Sequence, residues 1–139
     1  MVSYFFEDTN FKFNRRRLTS QWLKFTAESE IKRIGQVNII FCSDNYILDI
    51  NQKYLQHDYF TDIITFDYCA NGILSGDIYI SLDTVASNAE EFKKNPEEEL
   101  HRVIIHGILH LVGINDKGPG EREIMEAAEN EALCMRQQQ

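Results

Sequence analysis

Residues 106–116 read His106-Gly107-Ile108-Leu109-His110-Leu111-Val112-Gly113-Ile114-Asn115-Asp116. An α-helix turns about 100° per residue, so histidines four apart lie only about 40° apart on adjacent turns. Their imidazoles can reach one ion from a single rigid surface. Gly113 falls where a helix takes a left-handed C-terminal residue, since glycine has no Cβ to clash there. The chain can reverse at that point and bring Asp116 back as a third ligand. Two neutral imidazoles and one carboxylate, with a fourth position left for water, is the usual build of a catalytic zinc site.

Working outward, Asn95 and Pro96 close one helix, and Pro96 suits the first position of the next. Glu97, Glu98 and Glu99 favour its first turn, and the predicted helix runs to Val112. On a helical wheel Leu100, Ile104, Ile108 and Leu111 fall on one side. His106 and His110 fall roughly opposite, flanked by Val103 and Leu109. Such a helix is apolar around most of its circumference and therefore buried. Imidazoles buried without partners cost about 1–3 kcal/mol each, and one shared metal would satisfy both. The competing reading makes them core histidines bonded to backbone carbonyls. That suits a lone histidine better than two at this spacing with a glycine and a third ligand behind them. His101, on the far side of the helix, reads as exposed or structural, and His57 lies in a loop-like stretch with a small claim on the site.

The spacing HxxxHxxGxxD also matches the zinc-binding signature of metzincin proteases. Those enzymes place a glutamate after the first histidine as general base. Here Gly107 occupies that position and can accept no proton, so proteolysis ranks third among the readings.

The rest of the chain supplies a small sheet and more helices. Val2 to Phe6 is β-prone. Asn14 is placed to cap a helix with the apolar stripe Leu18, Trp22, Phe25 and Ala27, ended by Gly35. Val37 to Phe41 reads as a buried strand. Ser43 or Asp44 caps a helix with Ile47, Ile50 and Tyr54 on one side. Ile63 to Tyr68 and Asp77 to Ser81 are strands joined through an Asn71-Gly72 turn, by a connection longer than a two-residue hairpin. Asp83 caps a helix from Thr84 to about Lys94. A last helix spans Glu121 to Met135, after the turn Lys117-Gly118-Pro119-Gly120. Strand, helix, strand, helix, two strands and three helices imply a mixed α/β (α+β) layer architecture.

With 139 residues and 43% hydrophobic content, the chain suits one globular domain spanning residues 1–139. No apolar run approaches the roughly 20 residues of a membrane span, and the start lacks a signal peptide, so a cytoplasmic location with no membrane partner is the expectation. Cys42, Cys69 and Cys134 lack CxxC spacing and read as buried free thiols, not as a disulfide framework or thiolate cluster. The net charge of −8 argues against broad electrostatic binding to nucleic acid, and no DNA partner is expected. Any RNA would meet a local basic patch. Positive charge gathers early, at Lys12, Arg15, Arg16, Arg17, Lys24, Lys32 and Arg33, as a solvated helix face or a phosphate-binding surface.

The segment HGILHLVGIND resembles the YbeY family of bacterial single-strand endoribonucleases, which typically show HGxLHLxGYDH with three histidines on one zinc. Thr61-Asp62-Ile63-Ile64-Thr65-Phe66 resembles that family's TDVLSF strand. Ser75-Gly76-Asp77-Ile78-Tyr79-Ile80-Ser81 resembles its LGDIxIS strand. The blocks follow the family order across residues 48–116. The resemblance implies a four-stranded mixed sheet with five helices around a cleft holding one Zn²⁺ per chain. It also implies cleavage of single-stranded RNA in rRNA maturation, at the 16S 3′ end, and in ribosome biogenesis. Ribosomal or small-subunit assembly proteins are the partners it implies.

Two departures stand out. Asp116 occupies the place of the family's third histidine, which keeps a zinc ligand but lowers the site's charge by one. Leu55, after Tyr54, occupies the place of the family's arginine, with Lys53 and Arg102 as substitute cations. Metal-assisted phosphodiester cleavage would use His106, His110 and Asp116, with either water or the RNA 2′-hydroxyl as nucleophile. Asp62, Asp77 and Arg102 are the other catalytic candidates. The two aspartates either orient a ligand histidine or the cleft, or cap strand ends. The rival class is a non-catalytic ribosome-assembly or RNA-binding factor with structural zinc, which would need a fourth protein ligand.

Overall fold

The computed structural model describes residues 1–56 and 61–137. Its elements run β1 Val2–Phe6, α1 Arg16–Ser29, β2 Arg33–Cys42, α2 Asp44–Leu55, β3 Ile63–Asp67 and β4 Ile73–Ser81. Three helices follow: α3 Leu82–Glu91, α4 Pro96–Val112 and α5 Glu121–Gln137. The strands form one mixed sheet in the order β1-β2-β4-β3, in which only β3 pairs antiparallel. This is the expected four-stranded mixed sheet with five helices among the described residues.

Alternation along the strands separates two apolar layers. Val37, Ile39 and Phe41 of β2 with Leu74, Ile78 and Ile80 of β4 bury against Trp22 and Leu23 of α1 and Ile104 and Ile108 of α4. Cys42 and Ile64 pack with Ile47 of α2 in a smaller second cluster. The central helix is α4, which touches β3, β4, α1, α3 and α5. Ile104, Ile105 and Ile108 are each fully buried, worth about 1.5–3 kcal/mol apiece in apolar transfer.

Both ends of α4 follow the sequence signals. Asn95 Oδ1 accepts from the backbone N–H of Glu97 at 2.8 Å and of Glu98 at 3.3 Å, with Pro96 in the first turn. At the other end Gly113 adopts φ 116°. Its N–H donates to the His110 carbonyl at 3.0 Å, and the Ile114 N–H donates to that of Leu109 at 3.0 Å. This is a Schellman turn.

Elsewhere the structure corrects the expectations. Asn14 does not cap α1: Arg15 precedes the helix with φ 61° and no side-chain cap. The buried face of α1 is Thr19, Trp22, Leu23, Thr26 and Ala27, while Leu18 and Phe25 are each 49% exposed. The phase is set by Trp22, whose Nε1–H donates to the Ala132 carbonyl of α5 at 2.8 Å. Gly35 does not end the region; it lies inside β2, beside a register shift between Ile34 and Val37.

Tyr54, expected on the apolar side of α2, is 62% exposed. Ser43 is the cap of that helix. Ser81, not Asp83, caps α3, and Asp83 instead accepts from the Asp44 N–H at 2.9 Å. Asn71-Gly72 forms a two-residue hairpin loop after all, with φ 54° and 76° and reciprocal Ala70–Ile73 backbone bonds. The ladder continues outward through Tyr68 N–H to the Ser75 carbonyl at 2.8 Å. Of the cysteines only Cys42 is buried, its thiol pushed up to about 12 chiefly by burial; Cys134 is exposed.

Candidate metal centre

His106 and His110 project from the last turns of α4 with ring centroids 4.7 Å apart and planes at 78°. The Schellman turn at Gly113 reverses the chain and returns Asp116 to them. Asp116 Oδ2 lies 3.3 Å from His106 Nε2, and Oδ1 lies 3.4 Å from His110 Nε2. Ligand atoms about 2.0–2.2 Å from a tetrahedral ion stand roughly 3.3–3.6 Å apart. The three side chains are therefore already spaced as edges of such a polyhedron, and they could hold a metal ion. Asp116 Oδ1 is also buried without a hydrogen bond among the described residues. An orphaned carboxylate oxygen beside two imidazole nitrogens is the arrangement a cation relieves.

Electrostatics separate the two histidines. Burial alone would push His106 down, but Glu129, Asp116 and Asp62 raise it above the ordinary histidine value. Burial and the charge of His106 push His110 down, against the pull of Asp116. Glu129 explains much of the difference. It stands on α5, is 8% exposed, and accepts from His106 Nδ1–H through Oε2 at 2.6 Å. Burial would raise the Glu129 carboxyl; His106 and Arg102 bring it below the usual range instead.

A cleft passes over the three side chains in two arms, with cavities of about 550 and 440 Å³. Asp62, Ile63, His106 and Asp116 line both arms. The first continues past Phe92, Lys94, Arg102 and Arg122, and the second past Asn51, Leu55, Asn115 and Lys117. Lys94, Arg122 and Lys117 have no ion pair among the described residues.

The other candidates fall as follows. Asp62 lies in the cleft, and burial raises its carboxyl above the usual range. Asp77 lines neither arm among the described residues; its Oδ1 accepts from Asn38 Nδ2 at 2.9 Å across β2 and β4. Arg102 reaches the cleft, but its Nη1 is bound to Glu129 at 2.8 Å and its Nη2 to Asn130 at 2.7 Å. Leu55 is a wall residue of the second arm, whereas Lys53 is not among the lining residues.

His101 is structural: it is buried, and its Nδ1–H donates to the Glu97 carbonyl at 2.7 Å between the rings of Phe13 and Trp22. His57 lies outside the described residues. The early basic residues do not line the cleft. Arg16 lies over the Phe6 ring at 5.0 Å, and Lys12 and Arg15 line a separate groove beside Phe13.

Gly107 settles the place of the protease glutamate. A Cβ there would meet Ile78 Cδ1 and Cγ2 at 3.0 Å and Ile63 Cδ1 at 3.1 Å. That face of α4 is pressed on the sheet, with no room for a glutamate side chain. Sequence reasoning missed Glu129 and the cations Lys94, Arg122 and Lys117. For Glu129 a signal existed: it shares the face of α5 that carries the buried Met125 and Ala132. An acid on an apolar face needs a partner.

Comparison with known proteins adds an independent result. A family model described as Endoribonuclease YbeY matches residues 4–136. A protein of that name from Bacteroides fragilis (strain ATCC 25285) is 65% identical over 124 residues, 89% of either chain. Another from Bacteroides thetaiotaomicron is 61% identical over 135 residues, 97% of this chain and 98% of the relative. The solution structure of TM1509 from Thermotoga maritima superposes with a TM-score of 0.67 at 30% identity, covering 96% of this chain and 87% of that one.

Proposed function

This chain belongs to the YbeY endoribonuclease family, and from that premise we propose that it cleaves single-stranded RNA at a zinc ion held by His106, His110 and Asp116. The supporting observation is the convergence of two Nε2 atoms and a carboxylate at tetrahedral edge lengths in the middle of an open cleft. Two imidazoles and one carboxylate form a donor set suited to zinc. The bound ion would supply Lewis-acid polarisation at the scissile phosphate.

The chain's own residues have distinct tasks. His106 and His110 present their Nε2 atoms from one rigid helix, and Asp116 closes the set from the loop. Asp62 faces both arms with a carboxyl whose burial favours the protonated form, so it moves a proton at the reacting oxygens. Lys94 and Arg122 on one side and Lys117 on the other hold the phosphates that flank the cut. Lys117 stands in the arm walled by Leu55, where the family resemblance leads one to expect an arginine. The whole chain works as one catalytic domain in the cytoplasm. Its substrate is precursor rRNA at the 16S 3′ end, met together with small-subunit assembly proteins.

Incubation of the purified protein with labelled single-stranded and duplex RNA of the same sequence tests this reading. Internal cleavage of the single strand is expected, and at least a 100-fold loss in the His110→Ala protein. Equal cleavage by wild type and His110→Ala would overturn it.

A further inference from the structure

Resting on the metal-centre reading above, we propose that Glu129 is the positioning residue that sets the metal affinity of His106, with Arg102 as its clamp. A histidine that ligates through Nε2 must carry its proton on Nδ1, and a fixed acceptor on that side selects the tautomer and the ring orientation. Glu129 Oε2 is such an acceptor at 2.6 Å, a short charge-assisted contact.

The carboxylate is itself immobilised. Its other oxygen accepts from Arg102 Nη1 at 2.8 Å, and Arg102 Nη2 is anchored on Asn130 Oδ1 at 2.7 Å. The row His106, Glu129, Arg102, Asn130 therefore joins α4 and α5, running from the buried Glu129 and the half-buried His106 and Arg102 out to the exposed Asn130. Asp116 needs only the two Nε2 atoms, so Glu129 leaves its side of the polyhedron untouched.

His110 has no comparable acceptor among its contacts in the described residues. The two ligand histidines are thus unequal: one is held by a carboxylate, and the other is held only by its place on the helix. A merely structural ion pair would need Arg102 and Glu129 but not His106 Nδ1. Placing all three in line puts α5, which offers no ligand of its own, in control of the site.

The test uses the full chain stripped of metal, with zinc ion alone as probe and a chromophoric chelator as competitor. Glu129→Ala should weaken zinc binding about 10- to 100-fold, the usual effect of losing a carboxylate behind a ligand histidine. Glu129→Gln, whose amide oxygen still accepts from Nδ1–H, should recover a large part of that loss. Glu131→Ala, which removes an exposed acid from the same helix, should bind as wild type does.

Long-range ¹H–¹⁵N spectra of the metal-free protein at pH 8.5 should show His106 protonated on Nδ1 in wild type and shifted toward the Nε2–H form in Glu129→Ala. Should Glu129→Ala fail to fold, Glu129→Leu, which fills the space but has no acceptor, and Arg102→Gln carry the same comparison. Zinc affinity and tautomer unchanged in Glu129→Ala, or in Glu129→Leu in its place, would overturn the proposal while leaving the ligand set intact. Failure of wild type itself to bind zinc would overturn the metal-centre reading with it.

Discussion

His106 Nε2 and Asp116 Oδ2 stand 3.3 Å apart although nine residues of chain and a helix terminus separate them. The contact joins the helical and loop parts of the centre and makes a direct prediction. Asp116→Ala should reduce bound zinc from about one ion per chain to near zero, measured by elemental analysis of protein purified in metal-containing buffer. One full equivalent retained in that variant would exclude Asp116 as a ligand.

Gly107 sits where α4 rests on Ile78 and Ile63. Gly107→Ala should gain about 1 kcal/mol of helix propensity and lose about 1–3 kcal/mol to crowding, for a small net destabilisation. Gly107→Glu should cost several kcal/mol, because it forces a carboxylate against the sheet. Urea denaturation reads both. A Gly107→Glu protein as stable as wild type, or one that cleaves peptides, is the contrary result.

His101 is held neutral by burial, which lowers its pKa against the favourable bond to the Glu97 carbonyl and with some help from Arg136. The unfolded chain therefore takes up a proton at a higher pH than the folded one. The stability attached to neutral His101 is complete above about pH 6.5 and is lost as pH falls from there toward the folded value. The urea midpoint should drop between pH 7.5 and 5.5 by more in wild type than in His101→Leu. Equal drops would mean that His101 does not carry the effect.

Asn95 caps the helix that carries both histidines, about three turns from His106 and four from His110. Asn95→Ala should cost about 0.5–2 kcal/mol of stability by denaturation and leave zinc affinity unchanged. A matching loss of zinc affinity would show that the N-terminal turn of α4 is coupled to the centre.

Much of this was legible because the signals for α4 are local. Asn95, Pro96, the histidine spacing and Gly113 each act within one turn of helix, and each appears in place. What was not legible depends on distant partners. Of the α1 stripe Trp22 and Ala27 are buried as expected, but Thr19 and Thr26 bury with them while Leu18 and Phe25 face outward. Thr26 can do so because its hydroxyl donates to the Trp22 carbonyl at 2.9 Å, and Trp22 in turn is fixed by Ala132, 110 residues away. Asp77 resembled a site residue by its sequence block but serves the sheet through Asn38. Glu129 announces itself only as an acid on an apolar helix face; its target could not be read before α5 was laid beside α4.

Gly113 also separates two parts of the candidate centre that tolerate substitution differently. On its N-terminal side the two histidines belong to a helix whose other faces are buried in the core, where almost any exchange disturbs packing. On its C-terminal side position 116 lies in a loop outside the regular elements. An exchange at position 116 would therefore alter the charge of the candidate centre while leaving the packed helix in place. The turn divides the candidate centre into a half fixed by core packing and an adjustable half.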